Sequence, residues 1–153
     1  MKNTLSIIII LTCGLLATGC EQKNNSTELS AYPKNGQCSI DVPAKNTVLP
    51  MSEDFHIGGW AFNKVNNTTS DSLTIYFRNI KTNELVSIPA KTGHKRPDVA
   101  KALGNTALEN SGFNALMEKD KLPQGDYEII LIQADLKAGV IACENEKHLI
   151  KIK

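Results

Sequence analysis

Between Ser72 and Ile80 the chain alternates strictly, with Leu73, Ile75 and Phe77 on one side and Thr74, Tyr76 and Arg78 on the other. A period of two is that of a strand with one buried face. The polar turn Lys81-Thr82-Asn83-Glu84 follows, and Leu85 to Ala90 returns as its hairpin partner. Similar patterns predict strands at Gln37 to Val42, Phe55 to Phe62, Phe113 to Met117, Tyr127 to Ala134, Val140 to Cys143 and Lys147 to Ile152. The run Ile129-Ile130-Leu131-Ile132 predicts a central strand covered on both faces. One helix interrupts the series: Arg96 to Gly104 has Pro97 and Asp98 at its start and Gly104 at its end. Val99, Ala102 and Leu103 give it a small apolar face, and at about two turns it needs packing to persist. The chain is therefore expected to be mainly β, a β-sandwich of about seven strands with one short helix inserted.

The N-terminal segment has a different pattern. Lys2 precedes an apolar run from Leu5 to Leu16, of roughly a dozen residues, which is signal-peptide length and short of the roughly 20 needed to span a bilayer. Ala17-Thr18-Gly19, all small, lead to Cys20. This segment closely resembles the lipobox of bacterial lipoproteins, although Ala17 stands where Leu is commonest. The resemblance implies a signal peptide at 1–19, removed on export, and a diacylglycerol thioether on Cys20. An ordinary secretory signal that merely adjoins Cys20 is the plainer alternative. In sorted lipoproteins an Asp after the cysteine usually retains the protein in the inner membrane, so Glu21 implies the outer membrane, facing the periplasm or the surface. Residues 20–36 are polar and read as the lipidated Cys and a flexible tether, and 37–153 as the sandwich domain.

Export changes the meaning of the cysteines. Cys13 leaves with the signal and Cys20 takes lipid, so Cys38 and Cys143 remain as an even pair in an oxidising compartment, which reads as a disulfide. A loop of about 100 residues closed in this way gains roughly 4–5 kcal/mol in the chain-entropy model. The chain has 17 basic and 16 acidic residues. Loss of residues 1–19 removes Lys2 alone, so the exported part is near neutral and carries no basic stripe for nucleic acid.

Two further stretches carry a resemblance. Leu122-Pro123-Gln124-Gly125-Asp126-Tyr127-Glu128-Ile129, with Ala134-Asp135-Leu136-Lys137-Ala138-Gly139, resembles the closing strands of bacterial immunoglobulin-like domains. Gly59-Trp60-Ala61-Phe62, Arg96-Pro97-Asp98-Val99-Ala100 and Ser111-Gly112-Phe113 follow in the order of a small β-rich module of bacterial envelope proteins. The resemblance covers about residues 55–135. It implies an immunoglobulin-like sandwich and no fixed chemistry.

Candidate binding residues fall in two places. Lys91, His94, Lys95 and Arg96 precede the helix start and could receive an anion there. The plainer reading pairs Arg96 with Asp98 and leaves the lysines solvated. Trp60 could be a sugar-stacking platform, although the lone tryptophan of a sandwich is more often a core anchor. His56, His94 and His148 lack the spacing of local metal motifs, so no metal is expected. No Gly-x-Ser-x-Gly elbow or free-cysteine signature occurs. The carboxylate pairs Glu53-Asp54, Glu118/Asp120 and Glu144/Glu146 sit in charged turns, so no enzyme activity and no cofactor are expected. The expected function is that of a lipid-anchored envelope protein, a protein-binding or structural accessory module of a larger assembly. A glycan-binding module and a phage-exclusion or immunity lipoprotein are the alternatives.

Overall fold

The computed structural model describes residues 26–136, 139–143 and 147–153, with side chains from Leu29 onward. The signal segment, Cys20, Glu21, Lys137, Ala138, Glu144 and Glu146 lie outside these residues. Within them run α1 (Ser26–Ala31), β1 (Gly36–Val42), β2 (Thr47–Leu49), β3 (Phe55–Asn63), β4 (Ser72–Asn79) and β5 (Leu85–His94). Then come α2 (Pro97–Ala102), a single 3-10 turn (Thr106–Leu108), β6 (Gly112–Met117), β7 (Gly125–Asp135), β8 (Gly139–Ala142) and β9 (His148–Ile152).

The strands follow one another in the order β1-β3-β6-β5-β4-β7-β9-β2, with β8 beside β7. Long β5 belongs to both layers: Leu85–Ala90 pair with β4, and Lys91–His94 pair with β6. Sheet I is thus β1-β3-β6-β5, and sheet II is β5-β4-β7 with β8, β9 and β2. Each strand segment read from the pattern is present, and the short β2, which the pattern did not announce, brings the number to nine among the described residues. β1 pairs in sheet I, the chain passes the cis Val42–Pro43 peptide, and β2 then pairs parallel with β9 in sheet II. β8 and β9 lie end to end along the same edge of β7. This is an immunoglobulin-like sandwich, and it carries the corner bond of that architecture: Tyr127 Oη donates to the Pro123 carbonyl at 2.9 Å.

The core lies between the sheets, where alternation sent it. Leu73, Ile75 and Phe77 of β4 face Ile57 of β3 and Phe113, Ala115 and Met117 of β6, with Ile129 and Leu131 of β7 and Ile150 and Ile152 of β9. The helix is also where the sequence put it, opened by Pro97 and followed by Gly104 at φ +64°, but its buried side is Val99 and Ala100, while Ala102 and Leu103, expected on the apolar face, are exposed.

Near one end the core becomes polar. Gln133 is wholly buried. Its Oε1 accepts from Ser70 Oγ, while Nε2 donates to the Phe62 carbonyl at 3.5 Å and to Cys143 Sγ at 3.3 Å. A Cβ on Gly36 would collide with that amide, so β1 approaches only because residue 36 has none. Beside it Cys38 and Cys143 form the disulfide, 105 residues apart, joining the edge of sheet I to the end of β8.

Two expectations need correction. Residues 20–36 are not tether throughout: Leu29 of α1 is buried on the outer face of sheet II against Ile132 and Ala142, with Tyr32 alongside. Pro33 accepts from the Ala142 amide at 2.9 Å, so the packed unit begins before Gln37. Trp60 is not an anchor between the sheets. The β3 alternation gives the inner positions to Ile57, Gly59 and Ala61, and Trp60 is half-buried on the outside of sheet I.

Candidate functional site

β3 presents Trp60 and Phe62 on the outer face of sheet I, stacked at 5.8 Å between ring centroids and 20° between planes. Register places Trp60 between Ser39 of β1 and Gly112 of β6. Phe62 is buried. It lines a cleft of about 400 Å³ with Leu103 and Leu108 of the segment that follows β5, so the two rings differ in setting. Phe62 is closed off beneath that segment's side of the face, and Trp60 stays partly open beside it.

The face is bordered on one side by Arg96. Its Nε and Nη2 donate to Asp98 Oδ1 and Oδ2 at 2.9 and 2.7 Å, and Nη1 reaches Asp41 Oδ2 of β1 at 2.7 Å. Gly112 makes this path possible, because a Cβ there would lie 2.9 Å from Arg96 Cγ. The Arg96 backbone is held too, its amide donating to the Glu109 carbonyl at 2.6 Å. One guanidinium thus ties α2 to β1 across the face. Its proximity holds the Asp98 carboxyl down at about 2, chiefly through the hydrogen bond, and the two carboxylates raise the guanidinium further. A charge-assisted fork of this kind is more selective in geometry than an isolated ion pair.

The other residues proposed around the helix start are arranged differently. Lys91, His94 and Lys95 are exposed. Lys91 is opposite Asn114 and His94 opposite Gly112, so both follow the edge of sheet I rather than converging on α2. Asp98 already occupies the helix start, and Arg96 is engaged with two carboxylates, so this geometry is that of a clasp rather than an anion receptor.

His148 is buried on β9, where its Nε2 donates to the Pro43 carbonyl at 2.9 Å. Burial pushes its pKa below 6.5, against a smaller opposite pull from that hydrogen bond, and nearby Lys45 lowers it further. His56 and His94 are exposed, and among the described residues no three His, Cys, Asp or Glu side chains group as metal ligands. No helix of the described residues is long and apolar enough to cross a membrane.

The sequence reading overlooked a shallow cleft of about 620 Å³ at the opposite end, lined by Val48, Ile80, Leu149, Lys81, Asp126 and Lys151. Lys151 pairs with Asp126 at 3.1 Å across it. It also missed the Asp41–Arg96 bond, for which sequence spacing gives no signal.

No protein-family model and no curated protein matches this chain. Among solved structures it is similar to the endo-beta-1,4-mannanase from Thermotoga petrophila, at 11% identity and a TM-score of 0.47. The match covers 77% of this chain and 20% of that one, so the chain spans about a fifth of that protein. It is also similar to Clostridium thermocellum CbhA fibronectin(III)-like modules, at 15% identity and a TM-score of 0.43, over 76% of this chain and 96% of that one.

Proposed function

We propose that this chain is a lipid-anchored protein of the bacterial envelope that works by binding, as an accessory module of a larger assembly, with the outer face of sheet I as its contact surface. The observation that carries the reading is the position of Trp60. The core is filled without it, yet the chain's sole tryptophan is held half-exposed on a sheet face, propped by Phe62 and bordered by the Arg96 clasp. Aromatic side chains with one open side are the usual energetic centres of protein contacts. The lipobox resemblance at Leu16 to Cys20 supports the anchor.

A photo-crosslinking residue at Asn114, which is exposed on the same face, tests the reading in the living bacterium. The expected result is a crosslink to one envelope protein that weakens at least tenfold on Trp60→Ala, about the 1.4 kcal/mol such a ratio represents. Absence of any crosslink at Asn114, or one indifferent to Trp60, would sink it. A second reading, glycan binding, is favoured by the polar setting of the ring: Ser39 lies beside it, and Asp41 and Asn114 lie on the same face. Retention of the protein on isolated cell-wall glycan, lost in Trp60→Ala, would select that reading.

A further inference from the structure

One end of the sandwich carries the most exposed apolar side chains of the described residues. Leu136, in the β7–β8 turn, is 92% exposed, and Val65, in the β3–β4 loop, is 71% exposed. Leu103, just after α2, is exposed at the same end, near Lys64 and Asn67 of the β3–β4 loop. Isolated exposed apolar residues are ordinary, and Val48, Ile80 and Met51 at the other end are 51%, 49% and 40% exposed, but Leu136 and Val65 stand out well beyond them.

These loops are held together. Asp71 Oδ2 accepts from the Leu136 amide at 2.9 Å, the Asp71 amide donates to the Ala134 carbonyl at 3.1 Å, and Thr68 Oγ1 donates to Asp135 Oδ2 at 3.0 Å. The Asn63 side chain accepts from the Val65 amide at 2.9 Å. Leu136 and Val65 are therefore presented outward by hydrogen-bonded backbone. Water is a poor partner for such an arrangement.

The N-terminal chain points to the occupant. Leu29 packs at the level of Ile132. Along β7 that is about 13 Å from Leu136 and about 23 Å from the opposite end at Gly125. The residues between Cys20 and Ser26 span at most about 20 Å when fully drawn out. A lipid on Cys20 thus reaches the Leu136 end easily, whereas the other end would require a taut chain laid along the domain.

We infer that the end bearing Leu136, Val65 and Leu103 rests on the bilayer that holds the Cys20 lipid, its apolar loop tips entering the headgroup region. The sandwich then stands end-on. The loops around Met51 and Lys81, and the cleft beside them, face away from the membrane, and the Trp60 face is presented sideways. This inference rests on the lipid-anchor reading above.

The test uses the full chain, purified from membranes and placed on phosphatidylethanolamine–phosphatidylglycerol vesicles with brominated acyl chains. Trp60→Phe removes the chain's own tryptophan, and Leu136→Trp or Met51→Trp supplies a reporter at either end. The intact mass is measured first. With a diacylglyceryl mass present, the expected result is a blue-shifted emission quenched by brominated lipid for Leu136→Trp, and an unshifted, unquenched emission for Met51→Trp. An unquenched Leu136→Trp, or a Met51→Trp quenched as strongly, on a lipidated chain overturns the orientation and leaves the anchor standing. A mass without lipid overturns the anchor and the orientation with it.

Discussion

On the outer face of sheet II, Ile130, Ile132 and Tyr76 lie under Leu29 and Tyr32 of the N-terminal segment. On the outer face of sheet I, Trp60 and Phe62 lie beside an ion-pair clasp, and only Phe62 is fully covered. Both faces carry apolar side chains that the sandwich core does not need. On sheet II the chain buries Ile132 under its own first helix and leaves Ile130 and Tyr76 partly open beside it, whereas on sheet I it buries Phe62 and leaves Trp60 partly open beside an ion-pair clasp. An outward apolar residue therefore takes its meaning from what the rest of the chain brings to it: packing on one face, a contact surface on the other.

The strongest way to break this comparison is to uncouple the sheets. Cys38→Ser opens a bond between residues 105 apart and frees the edge of sheet I from the end of β8. Stability should fall by roughly 2–5 kcal/mol, read by denaturant unfolding at neutral pH. Peptide mapping without reductant should show the two cysteines linked in the unmutated protein. Free alkylation of both would contradict the bond.

Next in size is the covered face itself. Ile132 is 6% exposed under Leu29, while Ile130 is half-buried two residues away. Ile132→Ala should cost about 2–5 kcal/mol, as a core truncation does, and Ile130→Ala about half as much. Leu29→Ala combined with Ile132→Ala should cost less than the two single changes added, because the residues touch. Strict additivity would mean that α1 contributes nothing to this face.

These faces also mark where the sequence was readable. The inner alternation of β4, β6 and β9 was visible in Leu73, Ile75 and Phe77, in Phe113, Ala115 and Met117, and in Ile150 and Ile152, because a period of two is a local signal. The disulfide was visible by cysteine arithmetic once export was read from the N-terminal segment. The covering of Ile132 was not, because Leu29 is the one large apolar side chain within the six-residue helix and Tyr32 lies just beyond it, which leaves no period to read. Double coverage of the Ile129–Ile132 run was anticipated for the whole strand and holds at Ile132, while Ile130 stays half-open. The place of Trp60 was missed for a different reason. Strand parity decides it, and the Gly58-Gly59 pair removes the side chains that would have revealed the parity. The Arg96–Asp41 bond spans 55 residues and leaves no trace in spacing.

A smaller effect depends on pH. Burial holds His148 neutral in the fold, with its pKa below 6.5, while the unfolded chain protonates it at the ordinary value. Its contribution is therefore complete above about pH 6.5 and is lost as the pH falls through the lower folded value. The melting temperature should decline on acidification below about pH 6.5, and less steeply in His148→Gln. An equal slope in both proteins would assign the acid sensitivity elsewhere. The group joins β9 to the Pro43 crossover, so the loss would fall on the seam between the sheets rather than on either outer face.

The smallest effects lie on the open face, and they separate its framework from its contact surface. Arg96 holds α2 to β1 through Asp98 and Asp41, so Arg96→Ala should lower the melting temperature measurably. Because Asp98 is held at about 2, below its ordinary 3.8, the clasp is complete above about pH 4 and is lost as the pH falls through about 2. The deficit of Arg96→Ala relative to the unmutated protein should accordingly be constant at neutral pH and shrink in strong acid. Lys91 and Lys95 are exposed, and their double replacement by alanine should change stability by no more than about 1 kcal/mol. Trp60→Ala should cost less than Ile132→Ala, since one side of the ring is already open to water, yet it should remove the Asn114 crosslink that Lys91/Lys95 replacement leaves in place. If Arg96→Ala melts like the unmutated protein, the clasp is not framework, and its guanidinium belongs with Trp60 as part of the surface that meets the partner.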